Sequence, residues 1–302
     1  SGGLLREGVV VRYRFIEQER VHYPVIALCR LLAVSRSSFY AWRQGGESRR
    51  AQENRQLLTH IRAIYRRSKQ RYGSPRIHDA LRGQGWVVGR HRVARLMQQA
   101  GLQARRRRRR FRSTTDSRHA HPIAPNRLGR DFTAQRPNEK WVADITYIPT
   151  REGWLYLAVV LDLYARRVVG WAMSPRMKEA LPQAALTMAV QQRRPTGRLL
   201  HHSDRGRQYA GRAYRRQLLQ HRIRRSMSRK GNCWDNAPME SFIATLKTEL
   251  IHHHDFHTRI QARQAIFEYI EIFYNRQRTH SALGYKTPVQ FEQQFEPSTT
   301  VR

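Results

Sequence analysis

Trp141-Val142-Ala143-Asp144-Ile145-Thr146-Tyr147-Ile148 is a run of branched and aromatic residues interrupted by one carboxylate. Such residues suit a pleated, buried strand, and an acid placed inside one is costly unless it is compensated. Residues 154–161 and 167–173 repeat the pattern after turn-length gaps, so three antiparallel strands are the simplest reading. Residues 180–192 are then predicted as an amphipathic helix, 199–202 as a short strand, and a further helix runs through Tyr214 and Leu218. Strands first and alternating elements afterwards make an α/β layer fold.

A second carboxylate, Asp204, stands just past the short strand in His202-Ser203-Asp204-Arg205-Gly206. A third, Glu240, lies near the start of a helix announced by Asp235, Asn236 and Pro238, with Met239, Ile243, Leu246 and Leu250 expected on its core face. Thirty-five residues separate Asp204 from Glu240, and Lys247 follows seven positions later, two helical turns on along the same side. A lysine there reads either as a point charge for a phosphate oxygen or as half of a salt bridge with a helix neighbour. Two carboxylates about 4 Å apart repel by roughly 4 kcal/mol at an effective dielectric near 20, so a converging trio requires cations. Hard oxygen donors suit Mg2+ or Mn2+, and a pair of such ions supports in-line displacement at a phosphodiester. Spacing alone leaves the convergence open, because single acids at strand ends are usually structural.

The chain of 302 residues carries 57 Lys and Arg against 22 Asp and Glu, a formal charge of +35. That excess attracts a polyphosphate, which makes DNA or RNA the first partner to consider. Residues 1–136 hold 31 basic and 8 acidic residues and residues 137–302 hold 26 and 14, so the first half is the stronger anchor. Two cysteines without a CxxC pair argue against a disulfide framework or a cysteine-built zinc site and fit a reducing cytoplasm. The longest apolar run, residues 155–161, is far below the roughly 20 residues that cross a bilayer. The first seven residues have no apolar core of the secretory kind, so neither membrane insertion nor export is expected.

Residues 1–47 form an N-terminal helical unit in which 24–42 have helical spacing, a break and a Ser-capped second segment like a helix-turn-helix. Residues 48–104 form a second such unit. It has Leu57, Leu58, Ile61, Ile64 and Tyr65 on one helix, a start signal at Tyr72-Gly73-Ser74-Pro75, and Val93, Leu96 and Met97 on a third helix ending at Gly101. Arg36 in the first unit and Arg90, Arg92 and Arg95 in the second are the candidate DNA contacts, as helix-turn-helix units commonly place a helix in a groove. The plainer alternative is a pair of three-helix packing units with solvated arginines. Residues 105–138 read as a basic linker opening with Arg105, Arg106, Arg107, Arg108, Arg109 and Arg110, whose mutual repulsion is relieved on a phosphate backbone. A tether that touches nothing in particular is the competing reading. The catalytic candidate spans 139–290, and 291–302 is a tail.

The three carboxylate segments belong together. Trp141 to Tyr147, His202 to Gly206 and Gly231-Asn232-Cys233-Trp234-Asp235-Asn236-Ala237-Pro238-Met239-Glu240-Ser241-Phe242 resemble DDE transposases of the insertion-sequence family numbered three. The likeness extends to Tyr274-Asn275-Arg276-Gln277-Arg278-Thr279-His280-Ser281-Ala282-Leu283-Gly284-Tyr285-Lys286-Thr287-Pro288 and to the helical region ending near Arg106, nearly the whole chain. It implies a ribonuclease H-like catalytic domain of the retroviral integrase type, with Asp144, Asp204 and Glu240 holding two Mg2+ ions, Mn2+ substituting, and Lys247 beside them. It also implies the second-frame portion of a transposase. The expected activity is cleavage and strand transfer by a copy-out, paste-in route on double-stranded DNA, both terminal inverted repeats and target. A homo-oligomer is expected on that DNA, in the bacterial cytoplasm and at the nucleoid when bound.

Arg205, Arg207, Arg229 and Lys230 flank the acids and are candidates for the DNA backbone, with generic surface charge as the alternative. Trp234 reads as a residue that stacks on or wedges beside a base, or as an aromatic lid on the core. Asp162 in Asp162-Leu163-Tyr164 reads as a turn-stabilising carboxylate. His252-His253-His254 suggests zinc, but consecutive histidines on a helix point in different directions. Two rival functions share these features: a non-catalytic DNA-binding regulator, and a ribonuclease or repair nuclease on the same fold.

Overall fold

The structure, a computed structural model, describes residues 7–45, 48–105 and 119–295. The chain divides into two compact units, 1–103 and 104–302. Among the described residues no helix is long and apolar enough to cross a membrane.

The first unit is all helical. Helices α1 (Val9–Glu19), α2 (Val25–Leu31) and α3 (Arg36–Arg43) surround a core of Tyr13, Ile16, Leu28, Cys29, Leu32 and Phe39. Ser35 stands at the start of α3 as the sequence predicts, yet its hydroxyl pairs with Ser37 Oγ at 2.7 Å instead of capping the backbone. Helices α4 (Arg49–Arg67), α5 (Ser74–Gly83) and α6 (Arg90–Gln99) follow. Ser48 caps α4 by accepting from Ala51 N–H, Pro75 occupies the first turn of α5, and Gly101 takes the left-handed φ of +66° beyond α6. Leu57, Ile61, Ile77, Leu81, Val93, Leu96 and Met97 are buried, as their spacing requires.

In the second unit β1 (Lys140–Thr150), β2 (Gly153–Asp162), β3 (Arg167–Ser174), β4 (Leu200–Ser203) and β5 (Arg224–Met227) form one sheet in the order β3-β2-β1-β4-β5. Strand β1 pairs antiparallel with β2 and parallel with β4, β2 pairs antiparallel with β3, and β4 pairs parallel with β5, so β2 alone runs against the others. Helices α7 (Ala180–Arg193), α8 (Arg207–Ala210) and α9 (Arg212–Gln220) join Trp141, Ala143, Ala158, Val160 and Val169 in one core. Gly170 allows the approach of α7, since a Cβ there would meet the Ala185 carbonyl oxygen at 2.2 Å. Helices α10 (Ala237–Glu249) and α11 (Arg259–Phe267) contact β1 and β2 without entering that core, which assigns them to the opposite face. A π-helical turn, Glu268–Tyr274, extends α11, and α12 (Pro288–Glu292) closes the described chain. This mixed sheet with helices on both faces is the ribonuclease H-like arrangement expected from the motifs.

Two segments depart from the sequence reading. Residues 119–138, at the end of the predicted linker, run beside β5: Arg127 and Leu128 donate their N–H groups to Ser226 Oγ at 2.9 and 3.1 Å. On α10 and its C-cap, Met239, Leu246 and Leu250 are buried as expected, Ile243 is only half-buried, and Phe242 and Glu249 are buried as well. The buried Glu249 accepts from Arg278 Nη2 at 2.8 Å and from Tyr269 OH at 2.8 Å. This network also holds Arg278 charged, burial notwithstanding, through the facing carboxylate.

Candidate active site

Strand pairing sets the first two carboxylates beside each other. Lys140, Trp141 and Val142 of β1 lie opposite Leu200, His201 and His202 of β4. Asp144 stands two residues beyond Val142 on β1 and Asp204 two residues beyond His202, just past the end of β4, so the parallel register leads both acids towards the same end of neighbouring strands. Each acid is held by a local bond: Ile145 N–H donates to Asp144 Oδ1 at 2.7 Å, and Gly206 N–H to Asp204 Oδ1 at 2.9 Å. A Cβ at Gly206 would press on Asp204 Oδ1 at 3.1 Å, so glycine leaves that turn room.

The third carboxylate arrives on α10. Asn236 was expected to announce this helix, and it does stand at the N-cap, but its side chain does not cap. Its Nδ2 donates to the Ala143 carbonyl at 3.1 Å, which ties the start of α10 to β1 beside Asp144. Glu240 and Lys247 lie one and three turns further along the same side. The Lys247 ammonium lies 4.6 Å from the Tyr147 ring centroid.

These groups act on one another electrostatically. Burial, then the charges of Asp204 and Glu240, push the Asp144 carboxyl well above the ordinary aspartate range, while the Ile145 bond and Lys247 pull the other way. Burial draws the Lys247 ammonium down and Asp144 opposes it. The Tyr209 hydroxyl, on α8, is buried without a hydrogen-bond partner among the described residues, and Asp144 and Asp204 both act on it. Among the described residues no three His, Cys, Asp or Glu side chains are closed to metal-ligand geometry. Three like charges relax away from one another unless a cation draws them in. The donors, all carboxylate oxygens, are of the kind that suits a hard divalent ion.

Asp235, read from the sequence only as a signal for the start of the Glu240 helix, has a larger structural task. It is fully buried, and it accepts from Arg229 N, Nε and Nη2, from Arg130 Nε and from Asn126 Nδ2 at 2.7 to 3.0 Å. The Arg229 contacts, foremost, hold its carboxyl far below the usual range. Tyr209 was missed too, although a tyrosine directly after the polar stretch Arg205 to Gln208, five residues past Asp204, was a visible signal.

The candidate DNA contacts fall into two groups. Arg36, Arg90, Arg95, Arg207 and Lys230 are exposed. Arg229 is committed to Asp235, Arg205 Nε to the Ser228 carbonyl, Arg92 to Asn54 and Glu53, and Arg105 to the Glu249 carbonyl. These four therefore have a structural task that the sequence reading did not foresee. Arg106, Arg107, Arg108, Arg109 and Arg110 lie outside the described residues.

Asp162 is buried and accepts from Tyr164 N–H at 2.9 Å and Asn138 N–H at 2.8 Å, with burial raising its carboxyl to about 6. These bonds place it in the turn that joins β2 to β3. His254 bonds the Leu250 carbonyl through Nδ1 and stacks on Phe256.

Comparison with known proteins names the class. Residues 134–233 and 221–288 match families described as integrase core domain, and residues 52–110 match one described as HTH-like domain. The chain is thus a helix-turn-helix protein with an integrase catalytic core. It is 45% identical over 284 residues, 93% of this chain and 98% of the relative, to the transposase InsF for insertion sequence IS3A of Escherichia coli K12. It is 46% identical over 89% of its length and 98% of the relative to the insertion element IS600 uncharacterized 31 kDa protein of Shigella sonnei. The chain belongs to the IS3 family of transposases. Solved structures are looser likenesses: the HTLV-2 integrase catalytic core domain in complex with magnesium has a TM-score of 0.41 at 15% identity, over 53% of this chain and 99% of that one.

Proposed function

We propose that this transposase cleaves DNA at the ends of its insertion sequence and transfers the freed 3′ hydroxyl to a target phosphodiester, by a copy-out, paste-in route. The observation that carries the reading is the half-buried Asp144 carboxyl on β1, which lies in the combined field of Asp204, Glu240 and Lys247. Asp144, Asp204 and Glu240 are the proposed ligands of two Mg2+ ions, with Mn2+ able to substitute. Such ions would supply activation of the attacking oxygen and stabilisation of the leaving one. The donor set fits them: hard oxygens, a trio whose repulsion a cation relieves, and a buried tyrosine hydroxyl with bonding capacity left over.

The chain's own residues do the rest. Strand β1 carries Asp144, the turn that leaves the neighbouring β4 carries Asp204, and Asn236 seats the helix that bears Glu240. Lys247, steadied by Tyr147, meets a phosphate oxygen as a point charge. Exposed Arg207 and Lys230 near the carboxylates, and Arg36, Arg90 and Arg95 on the helical units, hold the DNA backbone, with Arg205 and Arg229 shaping the surface beneath them. The arginine run Arg105 to Arg110 and residual donors of Arg92 add phosphate contacts. The partners are the terminal inverted repeats and target double-stranded DNA, engaged by a homo-oligomer.

The test is a cleavage and strand-transfer assay on DNA bearing the element's ends. Asp144→Asn should abolish both products with Mg2+ while DNA affinity stays intact. Full activity in that variant contradicts the reading, and cleavage without strand transfer in the wild type points to a nuclease.

A further inference from the structure

Trp234 is 67% exposed, which removes the possibility that it covers the core. Among the described residues none makes a ring contact or hydrogen bond with its indole. Both residues that follow it are buried and pinned: Asp235 accepts five hydrogen bonds from Arg229, Arg130 and Asn126, and Asn236 bonds the Ala143 carbonyl next to Asp144. A buried carboxylate is tolerated only when so fully paired. The short 3-10 turn Cys233–Asn236 is therefore a rigid mount that presents one indole to solvent, six residues before Glu240. Arg229 and Lys230, both exposed, precede it across Gly231, whose φ of +68° turns the chain.

An indole face beside the exposed Lys230 fits a nucleobase, because every base offers a π-face and the ammonium meets its phosphate. Inside a duplex those faces are covered by stacking and only base edges reach the grooves. A face becomes available at a duplex end, a nick or an extruded base. We infer that Trp234 is a stacking platform for the base exposed at the cleaved DNA end, holding the terminal nucleotide beside the carboxylates. The inference rests on the proposed reading that these carboxylates act at DNA ends, and it adds a residue with a separate physical role.

The experiment uses the full chain and two duplexes of the element's end, one pre-cut with 2-aminopurine as the terminal base and one uncut with the same base internal. Wild-type protein should quench the terminal 2-aminopurine and leave the internal one unchanged. Trp234→Ala should lose the quenching and bind the pre-cut end about 5- to 100-fold more weakly, while affinity for uncut duplex is unchanged. Trp234→Phe should retain part of both effects. Because the indole is exposed, the thermal midpoint of Trp234→Ala should match the wild type. Undiminished quenching and affinity in Trp234→Ala overturn the proposal. Asp144→Asn separates the two readings: cleavage by that variant sinks the carboxylate site, and quenching by that variant decides the stacking independently.

Discussion

The Lys247 ammonium lies 4.6 Å from the centre of the Tyr147 ring, so a cation on α10 is steadied by an aromatic on β1, the strand that carries Asp144. Such a contact is worth about 0.5 to 2 kcal/mol depending on desolvation. Tyr147→Leu is therefore expected to slow strand transfer about 2- to 30-fold, and Lys247→Gln to slow it more, since the charge itself is lost. If the ring acts through the lysine, the double variant is no slower than Lys247→Gln alone. Strand-transfer rates in a double-mutant cycle check this, and simple additivity would separate the two residues.

Glu249, Arg278 and Tyr269 form a buried polar cluster under α10. Removing one member of a buried ion pair strands the other charge, at a cost of about 3 to 5 kcal/mol. Glu249→Ala should lower the unfolding free energy of the catalytic unit, read from urea melts, by that amount, whereas Tyr269→Phe should cost about 1 kcal/mol. Equal losses in both variants would show that the ion pair is not the dominant partner.

His201 and His202 are buried in β4, paired with Tyr214 OH at 3.0 Å and with Ser226 and Ser228 Oγ at 2.8 and 3.1 Å. Burial pulls their imidazoles down to about 3 and about 4, from an ordinary value of 6.5. Unfolded chain thus takes up protons that folded chain refuses below pH 6.5. The stability these groups contribute is complete above that pH and lost as pH falls towards 4, with a slope approaching 1.4 kcal/mol per pH unit for each histidine. Urea melts between pH 4 and 7 should show this limb, and His202→Asn should flatten it.

With 57 Lys and Arg in the chain, DNA binding should fall steeply with salt. Six to ten phosphate contacts correspond to a loss of roughly 10³ to 10⁵ in affinity between 50 and 200 mM salt. Lys230→Ala and Arg207→Ala should each reduce the slope by about one contact, whereas a flat response would separate the basic surface from DNA.

Strands β1 to β3 were legible because each holds a run of buried, mostly branched residues, as in Leu157 to Leu161. Strand β5 was not: Arg224-Arg225-Ser226-Met227 lies at the sheet edge, and its burial begins only at Ser226. Residues 119–138 looked like linker because they are held by backbone N–H groups and Asn126, which leave no apolar period. Asp144 and Asp204 could be singled out as acids at strand positions, but their adjacency depends on the β1–β4 register, which no local pattern encodes. Glu240 required the Asn236 bridge to Ala143, and the burial of Asp235 was hidden because two of its three partners, Asn126 and Arg130, are about a hundred residues away and no pattern joins it to the nearer Arg229.

The most direct measurement is a crystal structure of the protein on paired DNA ends, grown with Mn2+ and recorded at the manganese edge. Two anomalous peaks bound by oxygens of Asp144, Asp204 and Glu240 are expected, roughly 4 Å apart. A structure with bound DNA in which any one of these carboxylates stays more than about 10 Å from the other two, beyond shared ligation of a pair of ions so spaced, would contradict the proposed centre.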